Sequence, residues 1–189
     1  MSVHAMGGAI QGVDAIPIEV EVDLLRRLPS IAIVGLAASA VKESAERVRS
    51  AIVSAELDFP RQRVVVNLAP ADVRKDGTAF DLPVALAILA ADGQVPLEAI
   101  HGLVIAGELS LGGRLRPIRG ALALALLARQ LGRALLLPSS SAAQARLVPG
   151  VTVHGADSLD QVVRWLRDGA ALPPVPTSVA PRPPPSVDL

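Results

Sequence analysis

The stretch from Lys75 to Gly120, KDGTAFDLPVALAILAADGQVPLEAIHGLVIAGELSLGGRLRPIRG, constrains this chain more than any other. Its spacing predicts a helix over Leu82–Ala91 that is apolar on nearly every side. A helix with no polar face needs protein all around it. Asp81 stands where a carboxylate accepts an orphan amide as an N-cap. Pro83 falls in the first turn, where its missing donor costs little. Leu103–Ala106 reads as a central strand, and Gly107–Leu115 as a turn into a short return strand. A buried helix, a buried strand and a hairpin in such close succession call for a sheet with helices packed on it.

The rest of the chain supplies that sheet. Val3–Gly12 reads as a first strand. Ile16–Leu24 alternates apolar and polar residues, so one face is core and one is wet. Glu19, Glu21 and Asp23 share the wet face, and a solvated strand fits them better than a metal site because no histidine joins them. Ser30–Gly35 and Arg63–Ala69 read as further strands. Asn67 within the second is a polar residue with a hydrogen-bonding structural role. A helix runs from Ser39 to about Ala55, with Lys42, Glu43, Glu46, Arg47 and Arg49 on its solvated face. An Ala/Leu helix over 120–130, a strand at Ala134–Leu137, a short helix over Ser139–Leu147, a strand at Val151–His154 and a closing helix capped by Asp157 or Ser158 complete the pattern. Trp165 seals that last helix. Alternating elements of this kind indicate an α/β domain.

At 189 residues the chain is long enough for one domain with a real core. Residues 1–170 carry the periodic elements. Residues 171–189 are rich in Pro, Val, Ser and Thr and read as an extended linker with no core contacts. Lysines and arginines number 18, matched by 18 acidic residues, so any basic surface has to be local. There are no cysteines, hence no disulfides or thiolate metal ligands. No signal peptide and no membrane span are evident, and a cytoplasmic location is expected. Motifs for ATP hydrolysis (G-x-x-x-x-G-K-[ST]), zinc proteolysis (H-E-x-x-H) and the serine elbow (G-x-S-x-G) are lacking. Phe59, Phe80 and Trp165 are the only aromatics, and each has a core reading, so a base-stacking platform is lacking too. The densest basic group is Arg114, Arg116 and Arg119 on the hairpin, backed by Arg74 and Lys75 on the loop Arg74–Asp76. Two readings stand for it: a phosphate-contacting surface and a solubilising edge strand.

Lys75-Asp76-Gly77, the helix after it, Gly107-Glu108-Leu109-Ser110-Leu111 and Gly113-Arg114-Leu115-Arg116-Pro117-Ile118 resemble the proteolytic domain of Lon protease and its non-proteolytic relatives. By that resemblance the nucleophile position carries Ala79. The position of the Lon-type lysine, placed by Pro117-Ile118, falls at Leu124. A Ser–Lys dyad needs a hydroxyl in contact with an amine of lowered pKa, and these two residues supply neither.

A longer colinear set is similar to the N-terminal domain of the ComM/YifB family of magnesium-chelatase-like AAA+ ATPases. It comprises Leu28-Pro29, Ile33-Val34-Gly35-Leu36, Ala40-Val41-Lys42-Glu43-Ser44, Glu46-Arg47-Val48-Arg49, Phe59-Pro60, Arg63–Asp72 and Ala79-Phe80-Asp81-Leu82-Pro83. Ala37-Ala38 departs from the family pattern. The resemblance implies a two-layer, Lon-like mixed sheet with helices mainly on one face. It implies a non-catalytic accessory domain whose linker leads to an AAA+ module. That module would take ATP and Mg2+, whereas no cofactor is expected in this chain. By the same resemblance the parent protein would be an ATP-driven branch-migration helicase of DNA recombination and natural transformation. The domain would then help assemble a homo-oligomeric ring and contact DNA or a protein partner. The alternatives are the regulatory domain of a chelatase-type remodelling ATPase and an active Ser–Lys peptidase.

Overall fold

The structure, a computed structural model, describes residues 1–35, 39–75 and 77–176, with the side chains of 40–42 left out. Leu36, Ala37, Ala38 and Asp76 therefore lie outside the described residues, as do the side chain of Lys42 and the linker from 177 onward.

The chain opens with β1 (Val3–Gln11), β2 (Asp14–Leu25) and β3 (Ser30–Val34). Next come α1 (Ser39–Ser54), β4 (Arg63–Ala69), α2 (Asp81–Ala91), α3 (Leu97–His101) and β5 (Leu103–Ile105). The hairpin β6 (Glu108–Leu109) and β7 (Leu115–Arg116) follows. The remaining elements are α4 (Ala121–Gln130), β8 (Ala134–Pro138), α5 (Ser139–Ala145), β9 (Val153–Ala156) and α6 (Leu159–Asp168). Among the described residues seven strands form one mixed sheet in the order β3-β4-β2-β1-β5-β8-β9, and β6 and β7 pair separately. Within the large sheet only β2 runs against the others, since it is antiparallel to both β1 and β4 while every other pairing is parallel.

The side-chain alternation of strands sorts residues between two core clusters. Leu103 and Ile105 of β5 and Leu136 of β8 join the cluster formed with α1, α2, α3 and α6. Val104, Leu135 and Leu137 point the other way, into a smaller cluster beneath α4 and α5. Four of the six described helices thus share one face, as the two-layer reading requires. Among the described residues no helix covers the opposite face at β3, β4 and the later half of β2. There Glu19, Glu21 and Asp23 stand outward while Ile18, Val20 and Val22 are buried.

α2 forms the middle of the larger cluster, and Leu82 to Leu89 along it are fully buried. Each large apolar side chain moved from water to this depth stabilises the fold by about 1.5–3 kcal/mol. On the other face α4 approaches β1 closely because Gly8 has no side chain. A Cβ there would meet Leu124 Cδ2 at 2.6 Å and Leu127 Cδ2 at 3.1 Å.

The start of the linker does not behave as its composition suggests. Leu172 packs on the larger cluster and Val175 on the smaller one. Arg146 donates to the Val175 carbonyl at 2.9 Å. Residues 170–176 therefore form a strap that passes from one face of the sheet to the other at its β9 edge. Between the strap, β9 and the end of α6 lies a cleft of about 690 Å³ that includes Trp165 and His154. Their rings lie 4.6 Å apart. Burial lowers the His154 pKa.

Candidate functional site

The parallel strands all deliver their carboxyl ends to one edge of the sheet, where the loop 70–80 and the hairpin segment 107–120 meet. The meeting is held from inside by Asp81. Its side chain is fully buried, and it does not cap α2, whose N-cap residue is Phe80. Instead the carboxylate accepts bonds from Arg47 Nε at 3.0 Å, from Arg47 Nη2 at 3.2 Å, from the Ser44 hydroxyl, and from the Leu109 amide at 3.0 Å. One buried anion thereby joins α1, α2 and the hairpin. Burial pushes the Asp81 carboxyl up. Arg47, Ser44 and the Leu109 amide oppose that push without cancelling it. The Asp81 carboxylate raises the Arg47 guanidinium in turn, so the arginine is always charged. Arg47 is thus not on a purely solvated face of α1, as helical spacing suggested.

Backbone bonds add to the bracing. The Leu82 amide donates to the Gly107 carbonyl at 3.0 Å, and the Gly107 amide to the Ala79 carbonyl at 2.9 Å. Further out, the Ser54 hydroxyl donates to the Leu111 carbonyl at 3.0 Å. The hairpin segment is therefore tied at several points to α1 and to the start of α2.

A cleft of about 520 Å³ opens at this edge, bordered by Ile10, Thr78, Ala79, Glu108, Ile118 and Arg119. The Thr78 hydroxyl donates to the Glu108 carboxylate. Ala79 contributes a methyl group to the cleft. Leu124 is 1% exposed and packs over Gly8. Neither position offers a nucleophile or a base. Among the described residues no group of three or more His, Cys, Asp or Glu side chains is placed to hold a metal ion. The carboxylates on the open face have separate partners. Glu19 meets His4 Nδ1 at 2.5 Å, Asn67 donates to Glu21 at 3.3 Å, and Asp23 lies 3.7 Å from the Met1 ammonium. A histidine does approach that stripe, through β1, which the spacing within β2 could not reveal.

The five basic residues read as a contact surface are not equivalent. Arg114, Arg116 and Arg119 are exposed along the hairpin segment. The Arg114 amide is fixed by the Ser110 hydroxyl at 3.1 Å, and Arg116 lies 3.8 Å from Glu108. Arg74 is exposed on the neighbouring loop. Lys75 is fully buried and turns inward, donating to the carbonyls of Pro70 at 2.5 Å and Val73 at 2.9 Å. Burial lowers its pKa, with Asp72 opposing. It holds the loop together and presents no ammonium to a phosphate. Two backbone carbonyls fix where its ammonium points, and a run of Asp72, Arg74 and Lys75 hides that.

Comparison with known proteins places these features in a wider group. Residues 20–141 match the family described as subunit ChlI of Mg-chelatase. The chain is 38% identical to YifB of Escherichia coli over 175 residues, 92% of this chain and 35% of that protein. It is 38% identical to competence protein ComM of Haemophilus influenzae over 165 residues, 87% of this chain and 32% of that protein. It is more distantly similar to Lon protease of Protochlamydia amoebophila, at 27% identity over 173 residues, 85% of this chain and 20% of that protein. The chain thus spans about a third of the length of YifB and ComM.

Proposed function

Since this chain belongs to the ChlI-like family that includes YifB and ComM, we propose that it is the N-terminal accessory domain of a ComM-like AAA+ ATPase. The observation that carries the reading is the colinear match to ComM across almost the whole domain. ATP and Mg2+ would bind in the part of the protein outside this chain. The domain itself carries no chemistry at Ala79 or Leu124. Its role in this reading is to help assemble a ring and to contact DNA or a partner through the hairpin platform. The parent would drive branch migration of DNA during recombination, in keeping with the competence that ComM is named for. Arg114, Arg116, Arg119 and Arg74 are the phosphate contacts; guanidinium forks suit phosphate. A platform braced by Asp81 presents them without paying ordering entropy at each encounter. Weak contacts of this kind are multiplied when several copies engage one DNA.

The test is branched-DNA binding and unwinding by the full-length protein at several salt concentrations, wild type against an Arg114→Ala/Arg116→Ala/Arg119→Ala variant. Weaker binding with a flatter salt dependence is expected. A triple variant that binds and unwinds as wild type does would move the domain's role to assembly alone. The family description favours a second reading, the regulatory domain of a motor that remodels a chelatase. Nucleotide hydrolysis stimulated by a metal-insertion partner and indifferent to DNA would select it.

A further inference from the structure

The opposite edge of the sheet carries a basic surface that the hairpin reading leaves out. Arg63, the first residue of β4, is registered with Leu25 of β2 on one side and with Ser30 of β3 on the other. Adjacent strands lie roughly 5 Å apart. Residues 26–29 consequently have to cross over the amino-terminal end of β4 to pass from β2 to β3. Arg26 and Arg27 lie in that crossing, directly above the segment that enters β4 with Arg61 and Arg63. Arg26, Arg27 and Arg61 are exposed. Arg63 is half-buried and belongs to the open face, out of phase with the buried Val64.

Electrostatics favour an anionic partner here. The stretches 24–33 and 59–69 hold these four arginines and no acidic residue, and the acids that bound them are Asp23 and Asp58. None of the four forms an ion pair within the described residues. Asp23, the acidic residue of β2 nearest in sequence, is engaged by the Met1 ammonium. A fifth arginine, Arg49 of α1, stacks over Phe59 at 5.1 Å, two residues before Arg61. Such a concentration produces a local positive potential that net charge conceals.

The crossing also carries Leu28, 87% exposed, followed by Pro29. A single exposed leucine means little by itself. An apolar residue that follows two arginines without ion pairs and lies across from two more has the form of a wedge, which enters a base step while its neighbours grip phosphates. That combination suits a nucleic acid better than an acidic protein surface.

We propose that the crossing Arg26–Pro29, with Arg61 and Arg63 beneath it, is a second nucleic-acid contact, in which the arginines hold phosphodiester oxygens and Leu28 wedges an unstacked base step. The proposal deepens the DNA-binding part of the reading above and rests on it. It places contacts on two opposite edges of the sheet, so a strand or arm of branched DNA can be held at each.

The test uses the 189-residue chain, a duplex and a branched DNA, and salt from 50 to 200 mM. Wild type is compared with an Arg26→Ala/Arg27→Ala/Arg61→Ala/Arg63→Ala variant and with the hairpin triple variant. Circular dichroism and thermal melting verify that each is folded. Four lost phosphate contacts flatten the log–log salt slope by about 3.6 and weaken binding at low salt by tenfold or more. Lysines at the same four positions restore most of the slope. Leu28→Ala leaves the slope in place and removes the fluorescence rise of a 2-aminopurine at the branch point. A folded alanine variant with wild-type affinity and slope overturns the proposal. If only the hairpin variant loses affinity, the crossing is not a contact and the hairpin reading stands. If only the crossing variant does, the hairpin reading falls and this one stands. A wild-type chain that binds neither DNA at 50 mM salt overturns this proposal, while the hairpin reading keeps its own test in the full-length protein.

Discussion

Asp81 is the residue on which the candidate site depends most. It is the only fully buried acidic side chain among the described residues. Removing one member of a buried, hydrogen-bonded ion pair leaves the other without compensation, at about 3–5 kcal/mol. Asp81→Ala is expected at the low end of that range, because Arg47 is 21% exposed and can turn partly to water. Chemical denaturation checks the loss. Limited proteolysis within 107–120 should accelerate in the same variant, since the Leu109 amide loses its acceptor. Lys75 makes a prediction of its own. Its folded pKa lies below the ordinary 10.5. The unfolded chain therefore binds more protons between the two values, and stability rises with pH across that window. Unfolding free energies from neutral pH to about pH 10 should rise for wild type relative to Lys75→Met. Parallel curves would mean that the ammonium is not desolvated.

Individual elements were legible in the sequence to very different degrees. The alternation in Ile16–Leu24, the valine run of β4, the apolar wheel of α2 and the 107–116 hairpin all have local causes, and they are where local spacing put them. Ser158 caps α6, accepting from the Gln161 amide at 3.3 Å. What failed was long-range. Arg47 and Glu46 look alike on a helical wheel, and only the neighbouring start of α2 draws the arginine inward. Arg61 and Arg63 lie far from Arg26 and Arg27 in sequence, and only the order of strands joins them. The Pro-rich composition after Leu172 hid a docked segment, because two apolar side chains suffice to hold it. Ending the chain at Gly169 should therefore lower stability by about 1–3 kcal/mol, from the apolar area of Leu172 and Val175 returned to water. Thermal melting of the shortened chain checks this, and an unchanged midpoint would contradict the packing. The α4 seam makes a sharper case. Gly8→Val should cost about 1–3 kcal/mol by overpacking against Leu124 and Leu127, whereas Gly12→Ala, which meets no neighbour within 4 Å, should cost only the strain of its positive φ.

For the whole molecule, the absence of chemistry at Ala79 and Leu124 predicts no cleavage of casein or unfolded peptides above a blank, with or without nucleotide. Activity that survives purification and is lost on Ser110→Ala would contradict it. The sheet also poses a problem that any open sheet does. Among the described residues both outer strands are paired on one side only, and such edges can recruit another chain. At one end stands β3, beside the arginines of the 26–29 crossing, where charge discourages stacking of copies. At the other end the strap wraps β9, with Leu172 on one face and Val175 on the other. A segment that reads as a spacer is in this sense also a guard rail. Proteolytic nicking near Gly169 would do more than loosen the linker: it would release the segment that packs beside β9 and leave that edge open to another strand.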